Sequence, residues 1–145
     1  MNQANLDSIA RLPLVKLSVS NSKVKKMDFV KKMFNLKFLD LSQNQLQKIE
    51  SLENLVDLLE LNLSKNVKIG DISGLSNLTH LVSINLSFCQ ISDITVLCSM
   101  TECQKLDLSH NHVGNIEALR LLTKITHINL SHNQITTIEP LSQLT

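Results

Sequence analysis

The stretch LDLSHNHV at residues 106–113 carries the pattern that decides the fold of this chain. Closely similar stretches are LDLSQNQL at residues 39–46 and INLSHNQI at residues 128–135. Aligning them shows a 22-residue unit that occurs six times, with one extra residue in the third copy. The copies start at Leu14, Leu36, Leu58, Leu81, Cys103 and Ile125. Positions 1, 4, 6, 11, 14, 17 and 20 are apolar in every copy, although apolar residues make up only 43% of the chain. A fixed period of this length predicts a solenoid of stacked copies.

The first half of each copy predicts a short strand followed by a turn. Residues 105–109 alternate between polar and apolar side chains, which indicates a half-buried strand. All copies run in the same direction, so the strands should pair in parallel. Position 9 follows the strand, and an inward Asn there would bond otherwise unpaired backbone groups of the turn. Asn occupies this position in four copies, and Ser22 and Cys89 replace it in two. The extra residue within 66–69 predicts a small bulge in that turn.

The second half of each copy predicts an outer helical segment. Apolar residues three apart, such as Ile116, Leu119 and Leu122, suit one or two turns of 3₁₀ or α-helix. A strand side that is narrower than the helical side bends the stack into an arc, with the sheet on the concave face. Leu6, Ile9 and Leu12 have the same spacing of three, so residues 1–13 are expected to form a partial repeat that covers the first strand.

The repeated stretches resemble the leucine-rich repeat family, and in particular its short 22-residue subclass. That subclass includes a nuclear regulatory subunit of a Ser/Thr protein phosphatase, the leucine-rich light chain of axonemal dynein, a spliceosomal ribonucleoprotein component and bacterial internalins. The resemblance covers residues 14–144. It implies an α/β leucine-rich repeat solenoid, with a curved parallel β-sheet on the concave face and short 3₁₀ or α segments on the convex face. It also implies a protein-binding scaffold without catalysis of its own.

Length and composition favour one domain, residues 1–145. The chain has a net charge of +1 and no apolar run long enough to cross a membrane. We expect neither membrane nor nucleic-acid binding, because no basic stripe with interleaved aromatic residues is present. The charge is nevertheless polarised, since residues 1–48 have nine Lys and Arg against three Asp and Glu, a net charge of +6. Residues 49–145 have five against ten, a net charge of −5.

The variable columns on the concave face give the candidate partner-binding residues. Position 7 is Ser in all six copies and position 5 is always Ser, Asp or Asn, so we expect these two columns to hydrogen-bond laterally between strands. Positions 3 and 8 vary between copies, which is where a binding specificity would lie. Aromatic residues beside cations are typical of binding hot spots. The predicted partner-binding residues are Phe38, Glu60, Lys65, Phe88, Lys105, Asp107, His110, His127 and His132.

Three of these residues, His110, His127 and His132, raise the alternative of a zinc site. No carboxylate or thiolate of suitable spacing joins them apart from Asp107, so we favour a partner-facing or pH-sensitive surface and predict no metal and no cofactor. With only three glycines in the chain there is no glycine-rich phosphate loop, and Ser109, His110 and Asp107 are neighbours only as strand positions. We therefore predict that the chain is not an enzyme.

The sequence thus predicts an intracellular scaffold that holds another protein on its concave face. Free thiols at the core positions of Cys89 and Cys103 favour the cytoplasm or nucleus over secretion, and the axoneme is one such location. The last copy ends without a C-terminal cap. This feature supports an alternative, a structural subunit of an axonemal or ribonucleoprotein assembly in which a neighbour covers that end. A secreted adhesion module is a further alternative.

Overall fold

The computed structural model describes residues 3–144, which contain one six-stranded parallel sheet with the strands in chain order. The strands are β1 (Lys16–Ser18), β2 (Phe38–Asp40), β3 (Glu60–Asn62), β4 (Ser83–Asn85), β5 (Lys105–Asp107) and β6 (His127–Asn129). The register advances by 22 residues at each step except between β3 and β4, where Glu60 pairs with Ser83. The extra residue of the third copy is therefore absorbed outside the sheet.

The outer side is formed by short helical segments. The first described element is helix α1 (Gln3–Ile9). The 3₁₀ helices are Asp28–Lys32, Ser73–Leu75, Thr95–Ser99, Glu117–Leu121 and Glu139–Gln143. In the second copy, short turns at residues 50–51, 53–54 and 56–57 lie at the corresponding place. The predicted architecture, an open parallel sheet backed by short 3₁₀ segments, is confirmed. Within residues 3–144 no helix has the length and apolar character needed to cross a membrane.

The core lies between the sheet and the outer segments. The central strand residues Leu39, Leu61 and Leu106 are 2–3% exposed, and Leu97 and Leu119 of the outer segments are fully buried. Each copy contributes side chains to both walls, so neighbouring copies bury a continuous apolar ribbon. The apolar spacing seen in the sequence corresponds directly to this ribbon.

The inward Asn side chains connect each copy to the one before it. Asn111 accepts a hydrogen bond from the backbone N–H of Ile91 at 3.0 Å, and its Nδ2 donates to the carbonyls of Leu86 at 2.9 Å and Leu108 at 3.0 Å. The same arrangement occurs at Asn44, Asn66 and Asn133. The predicted role of position 9 in satisfying buried backbone groups is confirmed.

The extra residue forms a tight turn, in agreement with the predicted bulge. The backbone N–H of Ile69 donates to the carbonyl of Asn66 at 3.0 Å. In four other copies the equivalent N–H, for example that of Val113, donates to the Asn of the next copy. The turn thus satisfies this donor within its own copy.

Burial decreases at both ends of the stack. Helix α1 packs against the 3₁₀ helix Asp28–Lys32 and buries Leu6, whereas Leu12, which follows the helix, is 47% exposed. In the last copy Leu130 is only half-buried, because no later copy lies against it within the described residues. Ile138 is 70% exposed.

Candidate functional site

The structure separates the nine predicted residues into two groups. The strand group lies on the open face of the sheet and consists of Phe38, Glu60, Lys105, Asp107 and His127. The rim group lies just after the strands, at position 8 of the repeat, and consists of Lys65, Phe88, His110 and His132. The sixth copy contributes to both groups: His127 is the first residue of β6, and His132 lies three residues after its end.

The strand group borders two shallow depressions on the sheet. One has a volume of about 560 Å³ and is lined by Phe38, Glu60 and Ser83 among others. The other has a volume of about 690 Å³ and lies between Ser83, Lys105 and His127. The short side chains of β4 are therefore the floor shared by both depressions, and larger charged and aromatic side chains flank them. Such a face suits a protruding segment of a partner.

Phe38 is partly covered by its neighbour. The Nζ atom of Lys16 lies 5.8 Å from the centre of the Phe38 ring, which is a cation–π distance, and the ring is half-buried. Lys105 has no ion-pair partner among the described residues. The face thus offers the ammonium group of Lys105 and the partly covered ring of Phe38.

The polar columns at positions 5 and 7 bond differently from what the sequence predicts. The side chain of Asp107 accepts hydrogen bonds from the backbone N–H and the hydroxyl of Ser109, at 2.9 and 2.7 Å. Between copies, the described residues show one such side-chain bond, from Ser18 Oγ to Asp40 Oδ2 at 3.1 Å. The predicted lateral ladder is wrong, because the position-5 side chain reaches its own turn two residues on and forms an Asx-turn bond there.

The rim group forms a column of stacked rings. The ring centres of Phe88 and His110 are 3.9 Å apart with an interplanar angle of 15°, and those of His110 and His132 are 4.0 Å apart at 14°. Lys65 closes the other side of Phe88, with its Nζ atom 5.7 Å from the ring centre. His110 thus has a stacked ring on each of its two faces. Phe88 and His132 are exposed and His110 is half-buried.

The backbone at position 8 adopts the left-handed conformation in every copy. The φ angle ranges from 48° at Asn21 to 58° at Lys65. L-residues with side chains rarely adopt this region, and an isolated one costs about 1 kcal/mol or more. None of the three glycines occupies position 8, so all six copies present a side chain where a glycine would be easier to accommodate.

A second exposed column, outside the residues predicted from the sequence, lies beside the first. Position 10 flanks the inward position 9, and its residues are Lys23, Gln45, Val67, Gln90, His112 and Gln134. All six are exposed. We define positions 8 and 10 of the six copies as the rim. A comparison of the position-10 residues across copies would have identified this column from the sequence alone.

Within residues 3–144 the titratable groups do not assemble into a metal site. No three His, Cys, Asp or Glu side chains of this part of the chain lie close enough together to hold a metal ion. Burial raises the pKa of the Cys89 and Cys103 thiols to about 11, so both are neutral near pH 7 and are poor nucleophiles. All three cysteines are free.

Comparison with known proteins places this arrangement among repeat proteins. The sequence profile described as Leucine Rich repeats (2 copies) matches residues 34–77, 56–99 and 101–143, which is more than half of the chain. No curated protein is similar enough in sequence to count as a relative.

Solved structures show the same fold. Internalin C2 from Listeria monocytogenes is 31% identical, with a TM-score of 0.87 over 99% of this chain and 61% of that one. Another internalin from the same species, InlF, is also 31% identical, with a TM-score of 0.69 over 100% of this chain and 48% of that one. A leucine-rich repeat protein from Leptospira interrogans is 22% identical, with a TM-score of 0.66 over 95% of this chain and 43% of that one. At this identity the similarity supports the fold alone. The chain therefore spans about three fifths or less of the length of these structures.

Proposed function

Because the chain belongs to the leucine-rich repeat family, we propose that it is a non-enzymatic scaffold that binds another protein on the open face of its sheet. Proteins of this family generally serve as protein-binding scaffolds. The observation that carries the proposal is the contrast between columns on that face. Position 7 is Ser in every copy, whereas position 3 holds Lys, Phe, Glu, Ser, Lys and His in turn. A column that changes from copy to copy can encode recognition of one partner.

The strand group supplies the contacts in this proposal. Phe38 provides partly exposed aromatic area, and Lys105 and Glu60 flank the short Ser83 with opposite charges. A partner segment that lies over β4 would meet an anion on one side and a cation on the other. Electrostatic complementarity of this kind favours specificity and correct register.

The test is affinity purification with matched double variants. Phe38→Ala with Lys105→Ala should remove the captured partner. The melting temperature of the variant is measured alongside, because Lys105 is exposed but Phe38 is half-buried and its truncation also removes buried apolar area. Lys31→Ala with Lys32→Ala, on the outer 3₁₀ helix, is the control and should keep the partner. Loss of the partner in the outer-face variant, with retention in the strand variant, would move the site to the convex side.

The three free thiols support a reducing compartment, the cytoplasm or the nucleus, as the place of action. The second candidate function is that of a structural subunit in a larger assembly. It is favoured by Ile138, which is the most exposed of the large apolar side chains in the described part of the chain. Sedimentation over a range of concentrations tests this candidate. If the isolated chain remains monomeric at all concentrations, the result favours the scaffold function.

A further inference from the structure

The rim differs from the rest of the surface in its lack of acidic residues. Its twelve positions contain no Asp or Glu, although the chain has 13 acidic residues. They contain Lys23 and Lys65, three histidines and four glutamines. The acidic side chains nearest along the chain, such as Asp107 and Glu60, lie on the strands instead. The rim therefore presents hydrogen-bond donors and positive charge without a compensating carboxylate.

The rim is also continuous and rigid. Five of its position-8 residues donate backbone N–H groups to the next copy, as in His110 to Ser131 at 2.9 Å. Four of its position-10 residues donate to the preceding copy, as in His112 to Ile91 at 2.8 Å. Backbone bonds on both sides hold the donors at the strand spacing of about 4.8 Å, so the six copies span about 24 Å.

The geometry points to an acidic peptide, in extended conformation, as the ligand of the rim. This inference deepens the proposed scaffold function, because it names the chemistry of a partner segment. Carboxylates of such a peptide would accept hydrogen bonds from the edges of the His110 and His132 rings and pair with the Lys65 ammonium. About eight extended residues cover the length of the rim.

The stack argues against single-stranded nucleic acid as the ligand. Nucleic-acid grooves use open aromatic faces on which bases stack. Here both faces of Phe88 are occupied, by Lys65 and His110, and both faces of His110 are occupied, by Phe88 and His132. The rim also has only two lysines to neutralise phosphates. Ring edges and amide donors suit carboxylates better.

The test measures binding of a fluorescein-labelled octapeptide of alternating Glu and Ser by fluorescence anisotropy. The double variant Lys65→Gln with His110→Gln should weaken binding about tenfold. The control, Lys32→Gln with His80→Gln, removes the same side-chain types from exposed positions outside the rim and should bind as the wild type does. A Gln–Ser peptide should bind weakly, and raising the salt from about 50 to 200 mM should weaken binding of the Glu–Ser peptide.

The site of binding is read from the histidine ring signals in NMR spectra. The acidic peptide should shift the signals of His110, His112 and His132 and leave those of His80 and His127 in place. Equal loss of binding in both double variants, or equal binding of the Gln–Ser peptide, would overturn the inference. Tighter rim-dependent binding of oligouridylate or of phosphatidylserine vesicles would overturn it as well.

The outcome is separable from that of the scaffold proposal. If the Phe38 and Lys105 variant loses a protein partner but the wild type does not bind the acidic peptide, the rim inference is wrong and the scaffold proposal stands. If the rim binds the peptide but no protein partner depends on the strand group, the scaffold proposal is wrong as stated.

Discussion

At the scale of single residues, two departures from the repeat compensate for each other. Cys89 stands where four other copies have an inward Asn, whose Oδ1 accepts an N–H of the preceding copy. In front of Cys89 that N–H belongs to Ile69, which already donates to Asn66 through the tight turn made by the extra residue. The Oδ1 of an Asn at position 89 would therefore find no free backbone N–H to accept a hydrogen bond from. The Cys89 thiol still donates to the carbonyl of Leu63 at 3.7 Å. The inserted residue and the lost Asn belong together.

Removal of an inward Asn should be costly where no such compensation exists. Asn111→Ala leaves the N–H of Ile91 and the carbonyl of Leu86 without their partner in a buried place. We expect a loss of about 1–3 kcal/mol in the free energy of unfolding, measured by chemical denaturation. Asn77→Ala, at an exposed position with one long bond of 3.4 Å to Glu53, is the matched control and should change stability by less than about 0.5 kcal/mol. Equal losses in the two variants would contradict the role of position 9.

At the scale of elements, the outer segments pack against the backbone of the copy before them. The 3₁₀ helix Ser73–Leu75 approaches the turn segment of the second copy so closely that a Cβ atom on Gly74 would lie 2.5 Å from the carbonyl oxygen of Ile49. Only a residue without a side chain fits there. Ion pairs add contacts farther along the outer side, where Arg120 joins Glu139 and Lys124 joins Glu102. Exposed pairs of this kind contribute little each.

Gly74→Ala should therefore destabilise the stack. The backbone of Ile49 cannot move away without disturbing its own copy, and overpacking of this kind costs about 1–3 kcal/mol. Gly114→Ala is the matched control, because its Cβ would meet only the carbonyl oxygen of Gln134 at an ordinary 3.8 Å. We expect the control to be neutral or slightly stabilising in thermal denaturation. If both variants melt at the same temperature, the close approach at Gly74 does not affect the stability of the protein.

At the scale of the whole molecule, stability is distributed along the stack of copies. In repeat proteins each unit is stabilised mainly by its immediate neighbours. Leu108 of the fifth copy is fully buried, whereas Leu130, at the same position of the sixth copy, is half-buried. The free energy that holds the last copy should therefore be smaller than that of the central ones.

Matched substitutions at these two leucines measure this gradient. Leu108→Ala should cost about 2–5 kcal/mol, because it leaves a cavity in a close-packed ribbon. Leu130→Ala should cost less than half of that, because part of its surface is already in water. Amide hydrogen exchange should be faster in residues 125–144 than in residues 81–124. Uniform protection along both segments would show that the last copy is as stable as the rest.

The sequence alone determined the architecture, because a 22-residue period encodes which side chains face inward in every copy. The apolar positions, the bonding of Asn111 and the turn at residues 66–69 follow from the pattern within one copy and its neighbour. Only the tertiary structure decided the bonds of the position-5 side chains, the need for glycine at position 74 and the partial exposure of Leu130. Only the structure, too, brought the rings of Phe88, His110 and His132 to within 4.0 Å of their neighbours. These features depend on distances between copies and on side-chain rotamers, which a linear pattern of residue types does not contain.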